Sequence, residues 1–253
     1  MINDGSTDQT SGFLSTLRDP RIRWLTLDRN CGRGFVRNLA LQHVRGDFVC
    51  SLDADDWFFS WKLEEQLQAF QAEPSLAAVT MAMAVTDENG ELVGVEGRSA
   101  RPAMQVIAGP RALCFPFGPT MIRTDLARQV GFDEAMKRGA DLDFFLRLLC
   151  GRERMLGCID RAGYVYQGHT PKTINELLEG HRWSREVYRS HLSRFPLDCS
   201  YLTFSSYMKS VGYYTSKFLG FSDWLSLRRF SPLAPCEREE YQRQLTLLGD
   251  GLE

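Results

Sequence analysis

Three carboxylates crowd into four residues at Asp53-Ala54-Asp55-Asp56, directly after the apolar run Phe48-Val49-Cys50-Ser51-Leu52. Charges of one sign this close repel unless a cation or a set of donors neutralises them. Hard oxygen ligands in this number suit Mg²⁺ or Mn²⁺, which bind one or two carboxylates and complete their shell with substrate phosphates. A merely solvated acidic loop has the same spacing, so the cluster alone leaves both readings open. A second grouping is Asn30-Cys31-Gly32-Arg33-Gly34-Phe35-Val36-Arg37-Asn38. Two glycines open a predicted helix, and Arg33 and Arg37 fall four apart on one face. Such a helix start, with guanidinium forks beside it, is a good neighbour for a diphosphate; the plainer reading is a glycine-containing loop with two surface arginines. Asp141 and Asp143 stand in the first turn of another predicted helix, after Gly139-Ala140. There an aspartate complements the helix dipole, or accepts a proton from an attacking hydroxyl. Asp4-Gly5-Ser6-Thr7-Asp8 is a turn of small side chains that lets a ligand approach the backbone. His169, past the last predicted strand, is placed to touch phosphate or metal, although a lone histidine is more often structural.

These residues need a scaffold, and the surrounding pattern predicts one. Ile22 and Trp24 to Leu27 make a short β-prone run closed by Asp28-Arg29-Asn30. Val36, Leu39, Ala40 and Val44 recur at helical spacing, and Gly46-Asp47 turns the chain into the strand at 48–52. Ser60 is placed to cap a helix whose Leu63, Leu67 and Phe70 share a face before Pro74 ends it. The apolar run 76–85, then Asn89-Gly90 and a return run at 92–95, is a hairpin signal. Residues 97–111 read as a polar loop and 158–166 as a last strand. The helix near Asp141 has Leu142, Phe145, Leu146 and Leu149 as its apolar face, which excludes both acids. Alternating strands and helices favour a largely parallel sheet with helices on its faces. Beyond Pro171 the pattern turns to longer helical stretches, so the expected division is a domain over 1–170 and a helical C-terminal extension over 171–253.

Composition excludes several alternatives. The 253 residues suffice for one sizeable α/β domain and an appendage. A net charge of −2 gives no call for nucleic acid. The seven cysteines are odd in number and never spaced C-x-x-C, which argues against a disulfide framework or a cysteine zinc site. No apolar run is long enough to span a bilayer, and no leader pattern opens the chain, so a cytoplasmic protein is expected. An aromatic stripe from Tyr201 to Trp224 reads as helix packing or, less commonly, as peripheral contact with the inner face of the cell membrane.

The order and separation of these motifs resemble glycosyltransferase family 2. Ile2-Asn3-Asp4-Gly5-Ser6-Thr7-Asp8 is similar to that family's V-D-D-G-S-x-D segment, and Asn30-x-Gly32 with Arg37-Asn38 to its N-x-G-x-x-x-x-R-N. Gly46-Asp47-Phe48-Val49 leading to Leu52-Asp53-Ala54-Asp55-Asp56 resembles its G-D-(aromatic)-(I/V)…L-D-x-D-D. Gly131-Phe132-Asp133-Glu134, Gly139-x-Asp141…Leu146-Arg147-Leu148 and Tyr166-x-x-His169 resemble its G-F-D-E, E-D…L-R-L and Y-R-x-H. The likeness runs from residue 1 to about 173 and leaves the extension uncovered.

The resemblance implies a GT-A fold, an α/β sandwich of the nucleotide-diphospho-sugar transferase kind with a mostly parallel central sheet. It implies an inverting transfer of a sugar from a nucleotide-diphosphate donor to a hydroxyl acceptor, assisted by Mn²⁺ or Mg²⁺. By position, Asp4 matches the residue at the nucleotide base, Asp53 the acid near the ribose and Asp55 the acid on the metal. Gly32, Arg37, Asn38 and His169 match donor-side positions, and Asp141 matches the catalytic base. Ala140 and Gln167 depart from the pattern, standing where the family has a glutamate and an arginine. The family also carries a strand and helix, with a P-x-Y-N segment, ahead of the position matched by Met1. Without them two strand edges are expected to lie open, and a partner-dependent remnant that binds nucleotide without turnover is the alternative reading. A nucleotidyltransferase shares the chemistry, but the segment from Asp141 to Leu148 speaks against it.

Overall fold

The computed structural model describes residues 1–98, 104–113, 115–167, 173–219 and 230–250. His169, part of the 97–111 loop, and Phe221 and Trp224 of the aromatic stripe lie outside the described residues. The chain opens with strand β1 (Ile2–Asn3), helix α1 (Thr10–Thr16) and strand β2 (Leu25–Thr26). β1 and β2 pair in parallel as a two-stranded sheet of their own. The β-prone run at 22–27 thus forms only two residues of strand, and Ile22, Trp24 and Leu25 stay exposed beside it.

Helix α2 (Arg33–His43) follows, then β3 (Phe48–Cys50), β4 (Trp57–Phe58) and α3 (Lys62–Ala72). Ser60 does not cap α3. The helix starts after Trp61 with no side-chain cap, and the Ser60 hydroxyl instead donates to Glu240, 2.7 Å away. The hairpin is present as β5 (Leu76–Thr86) and β6 (Leu92–Glu96), paired antiparallel. A short strand β7 (Met104–Val106) lies in the stretch expected to be loop. Then come β8 (Met121–Arg123), α4 (Thr124–Val130), α5 (Ala140–Leu149) and β9 (Met155–Tyr166). Three helices follow, α6 (Ile174–Ser190), α7 (Pro196–Leu219) and α8 (Pro235–Asp250).

The large sheet runs β3-β8-β5-β9-β4, with β6 added to β5 and β7 to β9. Its sense corrects the expectation of a mostly parallel sheet. Only the long β5–β9 pairing is parallel, and β3–β8, β5–β8, β5–β6, β7–β9 and β4–β9 are antiparallel. The parallel pair forms the spine, and short strands running the other way fill its remaining edges. A tight hairpin such as β5–β6 permits no other sense. Because β5 is covered on both faces, its sequence reads as a continuous apolar run rather than an alternation. On one face α5 packs Phe144, Phe145, Leu148 and Leu149 against Ala78, Ile122 and Leu156. On the other, Phe70 of α3 meets Leu76, Val79 and Met121.

The stretch after residue 171 folds back onto this sheet. Tyr241 of α8 is buried with Val95 and Ala162 beside Trp57, and the Glu237 carboxylate accepts the Ala162 N–H at 2.7 Å. A second tie runs through Asp143. The expectation that α5 turns both acids away from its buried side fails here: Asp143 is buried, accepting from Arg147 Nε and His191 Nε2 at 2.8 Å each. Two partners, one of them the charged Arg147 guanidinium, satisfy the carboxylate, which is how a charge survives in such a place.

Burial alone would raise the Asp143 carboxyl, but the hydrogen bonds from His191 and Arg147 and their charges hold it below the usual carboxylate range. Its contribution to stability is therefore present above the unfolded value, about 3.9, and disappears as pH falls through the lower folded value. Asp143→Asn is expected to cost about 2–4 kcal/mol at pH 7. In thermal denaturation from pH 7 to pH 3 the gap between wild type and variant should narrow on the acid side; a constant gap would refute the account.

Candidate active site

The N-terminal ends of α2 and α5 open onto one cleft of about 830 Å³, whose lining includes Asp4, Gly32, Arg33, Arg37, Asp141 and Trp183. Both helices begin after a glycine with positive φ, Gly32 at 90° and Gly139 at 78°, and neither start carries a side-chain cap. The first-turn N–H groups of both helices, which have no intrahelical partner, are thereby left for a ligand. Gly139 has a second reason to be glycine: a Cβ there would lie 2.9 Å from Val187 Cγ2. Lys137 and Arg138 add positive charge to the lining, and the Arg138 guanidinium stacks 4.0 Å over the Trp183 ring. Concentrated cations and two helix starts make this a place for a polyanion.

Asp4 holds the cleft's floor in shape. Its two carboxylate oxygens accept the backbone N–H groups of Cys31 and Gly32, at 2.7 and 3.1 Å. Gly5 follows with φ 68° where a Cβ would sit 2.7 Å from Arg29 Cα, so the turn and the start of α2 are in close backbone contact. Arg37 reaches across to Asp141 and pairs with its Oδ1, while its guanidinium lies over the rings of Phe117 and Phe132 at 4.8 and 5.3 Å. Asn38 is engaged away from the cleft: its amide exchanges two hydrogen bonds with the Phe132 backbone, at 2.7 and 2.9 Å, and donates to Glu134. It fixes the 131–134 loop against α2, and that loop is so close that a Cβ on Gly34 would lie 2.9 Å from the Asp133 carbonyl.

The acidic cluster sorts into two kinds. Asp56 is turned inward, accepting from the Tyr164 hydroxyl at 2.5 Å and the Gln167 N–H at 2.9 Å. Burial pushes its carboxyl up, those hydrogen bonds oppose the rise, and the charges of Asp55 and Asp53 add to it. Asp53 and Asp55 are exposed, and their carboxylates take no hydrogen bond or ion pair among the described residues. Neither lines the cleft itself. The hydroxyl of Tyr166, at the end of β9, is pushed up by burial and by the charges of Asp56, Asp55 and Asp53, with Arg33 opposing. No group of three or more histidine, cysteine or acidic side chains converges as a closed metal cage among the described residues. Two free carboxylates on one loop fit instead a cation that completes its shell with phosphate oxygens.

Of the residues singled out in the sequence, the cleft unites Asp4, Gly32, Arg37 and Asp141. Sequence reasoning missed Tyr164, Lys137, Arg138 and Trp183. The alternation of tyrosines along β9 could have pointed to Tyr164; nothing in the pattern of α6 sets Trp183 apart.

An α/β sandwich with this cleft at its loop ends has the architecture of GT-A glycosyltransferases. Staphylococcus aureus TarS residues 1–349, in complex with UDP-GlcNAc, superposes with a TM-score of 0.54 at 20% identity, over 76% of this chain and 56% of that one. The chain belongs to glycosyl transferase family 2, whose sequence model matches residues 1–131. Succinoglycan biosynthesis protein ExoO of Rhizobium meliloti is 29% identical over 186 residues, which make up 66% of this chain and 51% of ExoO. The putative teichuronic acid biosynthesis glycosyltransferase TuaG of Bacillus subtilis is 39% identical over 79 residues, 30% of this chain and 31% of TuaG. The chain therefore spans about half the length of ExoO and less of TuaG.

The Tyr164–Asp56 pair gives a direct check on how the acidic loop is held. Tyr164→Phe leaves a buried carboxylate one donor short and is expected to lower stability by about 1–3 kcal/mol, read as a fall in Tm. An unchanged Tm would mean that the pair does not anchor the loop.

Proposed function

We propose that the chain catalyses inverting transfer of a sugar from a nucleotide-diphosphate donor to a hydroxyl acceptor, with Asp141 as base and a divalent cation on Asp55. The observation that carries this reading is the cleft itself: a carboxylate at one helix start faces the unfilled N–H groups and arginine of another. In the step proposed, the bond from the anomeric carbon to the diphosphate oxygen breaks and a bond to the acceptor oxygen forms on the opposite face. The acceptor's proton passes to Asp141. Arg37 occupies Oδ1 of that carboxylate, which leaves Oδ2 for the hydroxyl and fixes the direction of approach. Arg33 and the start of α2 take the diphosphate, and Asp4 keeps the Cys31–Gly32 backbone in place for it. Asp55 would hold Mn²⁺ or Mg²⁺, which would supply positive charge to the departing diphosphate, with Asp53 toward the ribose.

TarS structures include complexes with UDP and UDP-GlcNAc, and ExoO and TuaG are named for succinoglycan and teichuronic acid biosynthesis. A uridine-type donor and an acceptor in cell-envelope polysaccharide synthesis follow from those likenesses. No described helix is long and apolar enough to cross a membrane, and the reading places the reaction on the cytoplasmic side, where an acceptor at the inner membrane face is accessible.

Two variants separate binding from chemistry. UDP with MnCl2 should raise the Tm of wild type more than UDP alone, and Asp55→Ala should lose that manganese-dependent increment. Equal shifts with and without manganese in wild type would overturn the metal assignment. Asp141→Asn should keep the increment and lose transfer by about 10³-fold or more; near-normal turnover would remove Asp141 as base. Nucleotide binding by wild type without turnover on any envelope acceptor would favour the binding-only reading.

A further inference from the structure

Helix α7 is built inside out. Its face toward α6 carries small polar groups: Ser206 and Ser210 are buried there, each within 3.2 Å of Arg185 Nη1, with Cys199 and Ser216 buried on the same side. Its outward face carries Leu197, Tyr201, Phe204, Met208, Val211, Tyr214 and Phe218, all at least half exposed, with Leu197 at 81%, Phe204 at 64% and Phe218 at 91%. A surface helix normally does the reverse. A fully exposed aromatic side chain presents about 150–250 Å², so four of them at 53–91% exposure, with Leu197, Met208 and Val211, offer roughly 800 Å². Monomers rarely leave more than about 300–600 Å² in one patch.

We propose that this face of α7 is the interface of an antiparallel homodimer, with the two-fold axis passing between Tyr207 and Met208. The exposed positions are symmetric about that point. Turning a second copy end over end sets Leu197 against Phe218, Tyr201 against Tyr214, and Phe204 against Val211. An isologous contact requires such self-complementarity. The steps of four and three residues keep the stripe on one side over the helix, as a left-handed helix pair needs. Two copies covering the whole stripe would bury about 1,600 Å², within the range of stable specific interfaces. Within the stripe's own span, Leu197 to Phe218, the helix carries Asp198, Lys209 and Lys217, a net charge of about +1, whereas interfacial helices flank their apolar face with many basic residues.

The test uses the 253-residue chain in analytical ultracentrifugation at micromolar concentration. A dimer is expected for wild type. Phe204→Glu combined with Val211→Glu, both exposed in the monomer, should leave the circular dichroism and Tm of the subunit intact and weaken association at least about 100-fold. Met208→Cys, near the axis, should cross-link to its own copy above the background of the native cysteines, and Phe218→Cys should not. A wild-type monomer would overturn the proposal, as would a dimer untouched by the double variant or equal cross-linking at both positions. A monomer that sediments with phosphatidylglycerol vesicles would overturn it in favour of a membrane.

Discussion

The ion pair between Arg37 and Asp141 is the contact on which the rest of the site turns. It joins the second turn of α2 to the first turn of α5, two helices from different parts of the chain that flank the cleft. Arg37 is not free to move with its partner: its guanidinium lies over Phe117 and Phe132, and Phe132 stacks on Phe144 at 4.4 Å in the core. A rigid guanidinium gripping one carboxylate oxygen gives the other a defined direction. The Asp141 carboxylate is thus held in place through an aromatic core rather than through a second polar shell.

The same economy governs the acidic loop. Three aspartates in four residues are an electrostatic liability in the absence of a cation, and the fold meets it by turning one of them inward. Asp56 takes two donors from the end of β9 and anchors the loop, which leaves Asp53 and Asp55 displayed and unpaired. The loop is thus fixed at one residue and available at two.

Much of this was legible in the residue pattern, and the exceptions have physical causes. Helices with a clear apolar stripe and a glycine before them, α2 and α5, were placed almost to the residue, because stripe and breaker agree. The buried run of β5 was equally plain. Sheet sense was not, since alternation of strands and helices says nothing about short strands such as β4, β7 and β8 that pair by tertiary contact alone. Asp143 was read as outward because a charged residue defaults to solvent; the partners that overturn the default, Arg147 and His191, are four and forty-eight residues away. Four residues that local motifs single out, Asp4, Gly32, Arg37 and Asp141, come together in one cleft. Those motifs could not show that Asn38 clamps the 131–134 loop instead of facing the cleft, nor that Trp183 forms part of its wall, because both facts depend on how distant segments dock.

One helix sets several of these distances at once. Trp183, Val187 and His191 follow each other at intervals of four along α6 and its end, and they touch in turn the cleft wall, the Gly139 turn and the buried Asp143. A slide or roll of α6 therefore cannot reshape the side of the cleft without also disturbing the turn that presents Asp141, so the wall of the cleft and the seat of that carboxylate share a single mechanical element.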